Sequence, residues 1–267
     1  MSVLAPVVID SPNVSLAWSG ALLHAYDNPQ RTLAPAVVSI SDFQSPLPDE
    51  DPDIRSAADI ALAHCGKNSV RVSGMLIFPY DIWCRRGKPR CDKYNEFCIK
   101  QFLPRLKALD QRNRLGTYFE RMMDYSGEKQ GNSHTVDQLS FVINLLRNRR
   151  RRWPRRSALQ IACFDPAKDH TGQPVRGFPC LQQVSISHDG DRRIALNAFY
   201  PTQYVFDRGY GNYLGLCHLG AFIAHETGLE FGRLNCFIGR PELGNISKSK
   251  LRDLVQIVRA RAGRAAA

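Results

Sequence analysis

Residues 180–230 read CLQQVSISHDGDRRIALNAFYPTQYVFDRGYGNYLGLCHLGAFIAHETGLE, and the patterns follow one another in an order that points to a sheet with a buried helix. Gln182 to Ser187 and Arg193 to Tyr200 are two short β-like runs. His188-Asp189-Gly190-Asp191 supplies turn chemistry between them, so a β-hairpin is expected. Asn212 to Thr227 is apolar almost all round, the mark of a helix with no solvated face. Gly228 follows where a left-handed C-cap is needed, so that helix should stop sharply. A hairpin feeding a fully buried helix implies a sheet with that helix packed against it.

On either side of this stretch, Ala158 to Phe164 and Arg233 to Ile238 read as further strands, and Lys248 to Ala262 as a basic terminal helix. Upstream, Thr135 and Gln138 have capping-box spacing, and Leu139, Val142, Ile143 and Leu146 follow on one helical face. From Ser15 to Tyr26, Trp18, Ala21, Leu22 and Ala25 repeat at helical spacing and define a first amphipathic helix. Ala36 to Ile40 reads as a strand followed by a loop rich in Pro, Asp and Ser through Asp53. A dense apolar stretch runs from Ser73 to Trp83, followed by a basic loop from Arg85 to Lys93 and a helical pattern from Tyr94 to Leu109. The expected architecture is α+β, one domain over residues 1–267, with helices covering a mostly antiparallel or mixed sheet around a long central buried helix.

At 267 residues and 43% hydrophobic content the chain can bury one sizeable core. No apolar run approaches the roughly 18 residues of a membrane span, and Met1 to Val14 lacks the basic and apolar regions of a secretory signal. A soluble, cytoplasmic protein is the expectation. The eight cysteines are scattered, no C-x-x-C pair occurs and no histidine pattern fits zinc, so free thiols and no metal site are expected. A net charge of +11 calls for an anionic partner, which nucleotide phosphate, a polyglutamyl tail or nucleic acid would each satisfy. Much of the excess lies in Arg147 to Arg156.

Chemistry enters at Gly177-Phe178-Pro179-Cys180-Leu181-Gln182, where proline fixes the entry to a strand and holds a thiol at its mouth. Such a cysteine is either a small buried hydrophobe or a nucleophile. Arg155 and Arg156, at the start of the preceding strand, have the fork geometry that suits phosphate, although they could instead extend the solvated basic turn assigned to Arg149 to Arg152. Asn212 offers an amide with both donor and acceptor, yet its place before a helix also fits an N-cap. Tyr118 and Trp83 are either site residues or ordinary core aromatics.

The order of these features resembles the thymidylate synthase superfamily. The resemblance is densest from Asp137 to Gly239: Asp137-Gln138 opening a helix, Arg155-Arg156 before a strand, Phe164-Asp165-Pro166 at its end, then Pro179-Cys180, the hairpin, and Asn212 opening a helix closed by Gly228-Leu229-Glu230. It is thinner at Trp18 to Tyr26, Arg31, Trp83 and Gly116-Thr117-Tyr118. The resemblance implies a thymidylate synthase-like fold and a sheet-to-sheet homodimer. It further implies that Cys180 adds to C6 of a pyrimidine, whose C5 then attacks 5,10-methylenetetrahydrofolate. Tyr118 would serve proton transfer at C5, Asn212 would read a uracil-type edge, and Arg31 with Arg155 and Arg156 would bind phosphate, the latter two across the dimer interface. Trp83 would lie beside the folate.

The sequence also departs from the family pattern. Tyr200-Pro201-Thr202-Gln203 stands where an Arg-Ser phosphate grip is expected, Tyr204 replaces an aspartate, and Leu181 replaces the histidine after the nucleophile. Glu242 and Gly244 replace ribose ligands, and Arg-Ala repeats replace an apolar lid. The covalent step should therefore be kept with an altered substrate, as nucleotide or nucleoside. Hydroxymethylation, which does not need water excluded, stands beside methylation. The alternative is a degenerate relative that binds nucleic acid through Arg147 to Arg156 or serves as a silent partner subunit.

Overall fold

The computed structural model describes residues 5–29, 35–114, 116–129, 132–150, 152–170, 172, 180–190 and 192–265. Arg31, Arg151 and Pro179 lie outside them. The strands are β1 (Val7–Ser11), β2 (Ala36–Ser41), β3 (Tyr125–Lys129), β4 (Asn132–Val136), β5 (Gln160–Ala162), β6 (Gln183–His188), β7 (Arg193–Tyr204) and β8 (Glu230–Glu242). Six form one sheet in the order β1-β2-β8-β7-β6-β5, while β3 and β4 make a separate hairpin. Pairs β1/β2 and β7/β8 are parallel and β2/β8, β6/β7 and β5/β6 antiparallel, so the sheet is mixed.

The helices are α1 (Val14–Asp27), α2 (Pro52–His64), α3 (Val70–Met75), α4 (Tyr80–Arg85), α5 (Cys91–Phe97), α6 (Leu103–Leu109), α7 (Tyr118–Met123), α8 (Gln138–Arg147), α9 (Pro166–Asp169), α10 (Tyr210–Thr227) and α11 (Arg252–Ala265). Among the described residues no helix is long and apolar enough to cross a membrane.

The parallel β7/β8 pair requires a crossover, and α10 is that crossover. Its sequence is apolar on every side because it is buried on nearly every side, down to Leu216, Leu219, Phe222 and Ile223. Gly228 ends it with φ 65°, as its position predicts. At its head, the glycines let two backbones meet. A Cβ on Gly215 would sit 2.6 Å from the carbonyl oxygen of Gly74, and one on Gly211 would sit 2.4 Å from Ser73 Cβ, so α3 crosses α10 with nothing between them.

Inward-facing Val184, Ile186, Leu196, Tyr200, Leu234 and Ile238 pack into this core. The alternate residues look outward. There Asn235 donates to Asn197 (2.9 Å), Asn197 to Ser187 (3.3 Å) and Gln160 to Ser185 (3.0 Å), forming a polar ladder across strands. Phe199 and Phe237 stack within it, centroids 5.7 Å apart, and remain 41% and 45% exposed.

One local expectation differs from the structure. The N-cap of α8 is Asp137, whose carboxylate accepts from Ser140 N–H at 2.8 Å, whereas Thr135 belongs to β4. The capping box occurs instead at α7, where Thr117 and Glu120 bond each other's backbone.

Candidate active site

Cys180 is half-buried, three residues before β6 begins. Two other segments converge on it. From α7, the Tyr118 hydroxyl accepts the Cys180 backbone N–H at 3.2 Å and also bonds the thiol. From the π-type turn Val205–Gly209 that joins β7 to α10, the half-buried Arg208 brings its positive charge to the sulfur. Burial pushes the Cys180 thiol up, while Arg208 and the Tyr118 hydroxyl oppose that rise. Burial and the neighbouring sulfur keep the Tyr118 phenol well above its ordinary value, so it stays protonated.

The surrounding elements explain why these groups hold their places. The α7 capping box fixes the first turn on which Tyr118 stands. Arg121, one turn further on, donates to Asp169 (2.9 Å) and to the carbonyl of Cys163 (2.7 Å), tying α7 to the end of β5 and to α9. Gln138 plays the part of a missing strand: its amide donates to the Ala162 carbonyl (2.9 Å) and accepts the Ala162 N–H (2.8 Å). On the other side, Trp18 Nε1 donates to the Val205 carbonyl at 2.8 Å and steadies the turn that carries Arg208. Its neighbour Asp207 pairs with Lys67 at 2.6 Å, which leaves the Arg208 guanidinium without an ion pair among the described residues.

Asn212 lies four residues beyond Arg208, inside α10 as its third residue. The N-cap reading therefore falls. It is only 4% exposed and makes no hydrogen bond to another described residue, so its amide stays available. On β7, buried Tyr200 near Tyr118 has an unpartnered hydroxyl, and Gln203 accepts from Tyr213 (2.8 Å) while its own amide nitrogen has no partner.

Arg155 and Arg156 are not neighbours of Cys180 within one chain. Arg156 donates through Nε (3.1 Å) and Nη2 (3.0 Å) to the His188 carbonyl, at the far end of β6. Eight extended residues separate that carbonyl from Cys180, a span of about 25 Å. Arg155 is exposed beside it. Only a second copy of the chain could bring either to the sulfur.

Trp83 is also elsewhere. It is 1% exposed, donates to the Pro89 carbonyl at 2.9 Å and packs edge-on against Phe222 and His225, near the tail of α10. From Asn212 to His225 is about 20 Å along the helix. Trp83 thus does not fit a folate bound at Cys180 of its own chain.

The basic run needs a further correction. Arg149, read as a solvated turn residue, donates to the carbonyls of Leu146 (3.0 Å) and Thr227 (2.8 Å), and Arg147 to the Glu226 carbonyl (2.8 Å) and carboxylate. The carbonyls left open at helix ends explain both contacts.

Arg208 is the residue that sequence reasoning missed. Its signal was there: it is the one cation inside the apolar stretch from Val205 to Leu216. The chain matches no protein-family model and no curated protein, so its reading rests on the geometry of Cys180, Tyr118 and Arg208 and on the succession of motifs around them.

Proposed function

We propose that this chain is a one-carbon transferase of the thymidylate synthase type, acting on C5 of a uracil-type nucleotide or nucleoside through a covalent Cys180 adduct. The observation that carries the reading is the meeting of Cys180, Tyr118 and Arg208 from three separate segments of the chain. The resemblance gives Cys180 the nucleophile's part and Tyr118 proton transfer at C5, and Arg208 brings a cation to the sulfur where β7 carries Pro201 and Thr202 instead of an Arg-Ser pair.

The chemistry follows from these groups. C5 of a pyrimidine is a poor nucleophile, and addition of a thiolate at C6 turns it into an enolate-like carbon. Arg208 stabilises the sulfur anion before addition. Asn212, with donor and acceptor free, reads the O4 and N3–H edge of uracil. Tyr118, kept protonated, holds the hydrogen-bonding position beside the sulfur and moves a proton at C5 as the adduct forms and collapses. Methylenetetrahydrofolate, the donor implied by the resemblance, supplies the carbon when bound. No residue of this chain is assigned to hold it, because Trp83 does not fit that part.

The outward sheet face, with its Phe199 and Phe237 stack, supports a homodimer in which the partner contributes Arg155 and Arg156. The nucleic-acid reading has less to draw on, since Arg147 and Arg149 are engaged with the chain's own oxygens.

The test is native mass spectrometry of the full chain with dUMP, deoxyuridine and dCMP, each with and without methylenetetrahydrofolate. A pyrimidine adduct on the Cys180 peptide, a one-carbon mass gain in the product and loss of both in Cys180→Ala are expected. Absence of adduct and of product with every pyrimidine overturns the proposal.

A further inference from the structure

At the tail of α10, about 20 Å from Asn212 by helix length, lies a cavity of about 610 Å³ with Phe43, Tyr80, Trp83, Lys88, Arg193 and His225 in its wall. That volume is in the range of small-molecule sites. Its rings are fixed before anything enters. Tyr80 stacks on His218 at 4.5 Å and 13°, Trp83 meets His225 edge-on at 4.9 Å, and Phe43 leans on Phe231 at 5.3 Å. Preset flat walls lower the ordering cost of taking up a flat ligand.

The charges at the mouth narrow the chemistry. Arg193 and Glu230 have partners of their own, Asp189 at 3.6 Å and Arg192 at 3.7 Å. Lys88 and Asp42 make no ion pair with a described residue, and Lys88 Nζ stands 5.7 Å from the Trp83 ring centre. They share a second property. Among the described residues they are the two non-glycines with left-handed backbone, at φ 54° and 60°. Residues held in that region gather at ligand clamps, and here both carry a charge to the rim of one cavity.

We infer that this cavity is a second ligand site, built for a flat aromatic molecule that carries both an acid and an amine, such as an aromatic α-amino acid. The ring lies among Tyr80, Trp83 and Phe43, the acid pairs with Lys88, and the amine pairs with Asp42. The inference does not depend on the pyrimidine chemistry at Cys180.

Titration calorimetry with the full chain and four probes, L-tryptophan, indole-3-propionate, tryptamine and indole, tests it. L-Tryptophan should bind, and each probe lacking one charge should bind at least tenfold more weakly. Lys88→Asn should erase the advantage conferred by the acid, and Asp42→Asn that conferred by the amine. Both positions are exposed, and asparagine tolerates their backbone angles, so both variants should fold. Cys180→Ala should bind as the parent does. The inference is overturned by no binding of any probe at millimolar concentration. It is equally overturned if indole-3-propionate matches L-tryptophan, if both rim variants bind unchanged, or if Cys180→Ala abolishes binding.

Discussion

Cys180 is under two opposed influences, and the balance is measurable. Burial favours the thiol and Arg208 favours the thiolate, with the net shift upward. At neutral pH the free chain therefore holds less thiolate at Cys180 than an ordinary cysteine does. Peptide-resolved alkylation should show a midpoint above that of free cysteine. Arg208→Gln should move it higher still, slowing alkylation at pH 7 and converging with the parent in strong alkali. An unchanged profile would remove Arg208 from the site. His218 offers a second residue-scale test. Burial lowers it from 6.5 to about 4, so the folded state resists the proton that the unfolded chain accepts. Its contribution is complete above the unfolded value and is lost as pH falls from about 6.5 towards 4. The loss is at most about 3 kcal/mol, less for the screening that its partial exposure allows. Urea denaturation across this window should show the decline, and His218→Phe should flatten it.

At the scale of elements, the tightest constraint is the crossing of α3 and α10. Gly215→Ala would drive a methyl into the Gly74 carbonyl, which backbone cannot yield cheaply, and should cost about 1–3 kcal/mol by chemical denaturation. This crossing also shows how much could be read beforehand. The helicity, burial and stop of α10 were legible because apolar content and Gly228 are local signals. Its partner was not, since nothing in Val70–Met75 states which helix its small residues will meet. Helix α2 begins at the edge of the polar loop read through Asp53 and lies mostly in a stretch with no assigned element, although Asp51 before Pro52 is a start signal and Ile54, Ala57, Ala58, Ala61 and Leu62 form its buried face. Strand β8 was read at Arg233 to Ile238 and extends to Glu230–Glu242, because pairing with β7 continues through Arg240 and Pro241 where propensity is poor. In the site, Cys180 and Tyr118 were legible as motif residues. The placement of Arg208, and the distance of Trp83 and Arg156 from Cys180, depend on turns and crossings that carry no spacing rule.

For the whole molecule, the outward sheet face makes the sharpest claim. Phe199 and Phe237 stack in the open beside Asn197 and Asn235, a patch of rings framed by amides. If two copies join there, sedimentation should report a dimer. Phe199→Asp with Phe237→Asp should give a folded monomer that no longer forms the Cys180 adduct, having lost the partner's arginines. A monomeric parent chain would separate Arg155 and Arg156 from the reaction altogether.

The contact of Gly211 and Gly215 with α3 lies near one end of an 18-residue helix about 27 Å long. Asn212 lies between the two glycines, while His225 stands about 15 Å further along the axis. The head of α10 is thus located by backbone against backbone, and its tail by side chains, among them the rings of Trp83 and Phe231.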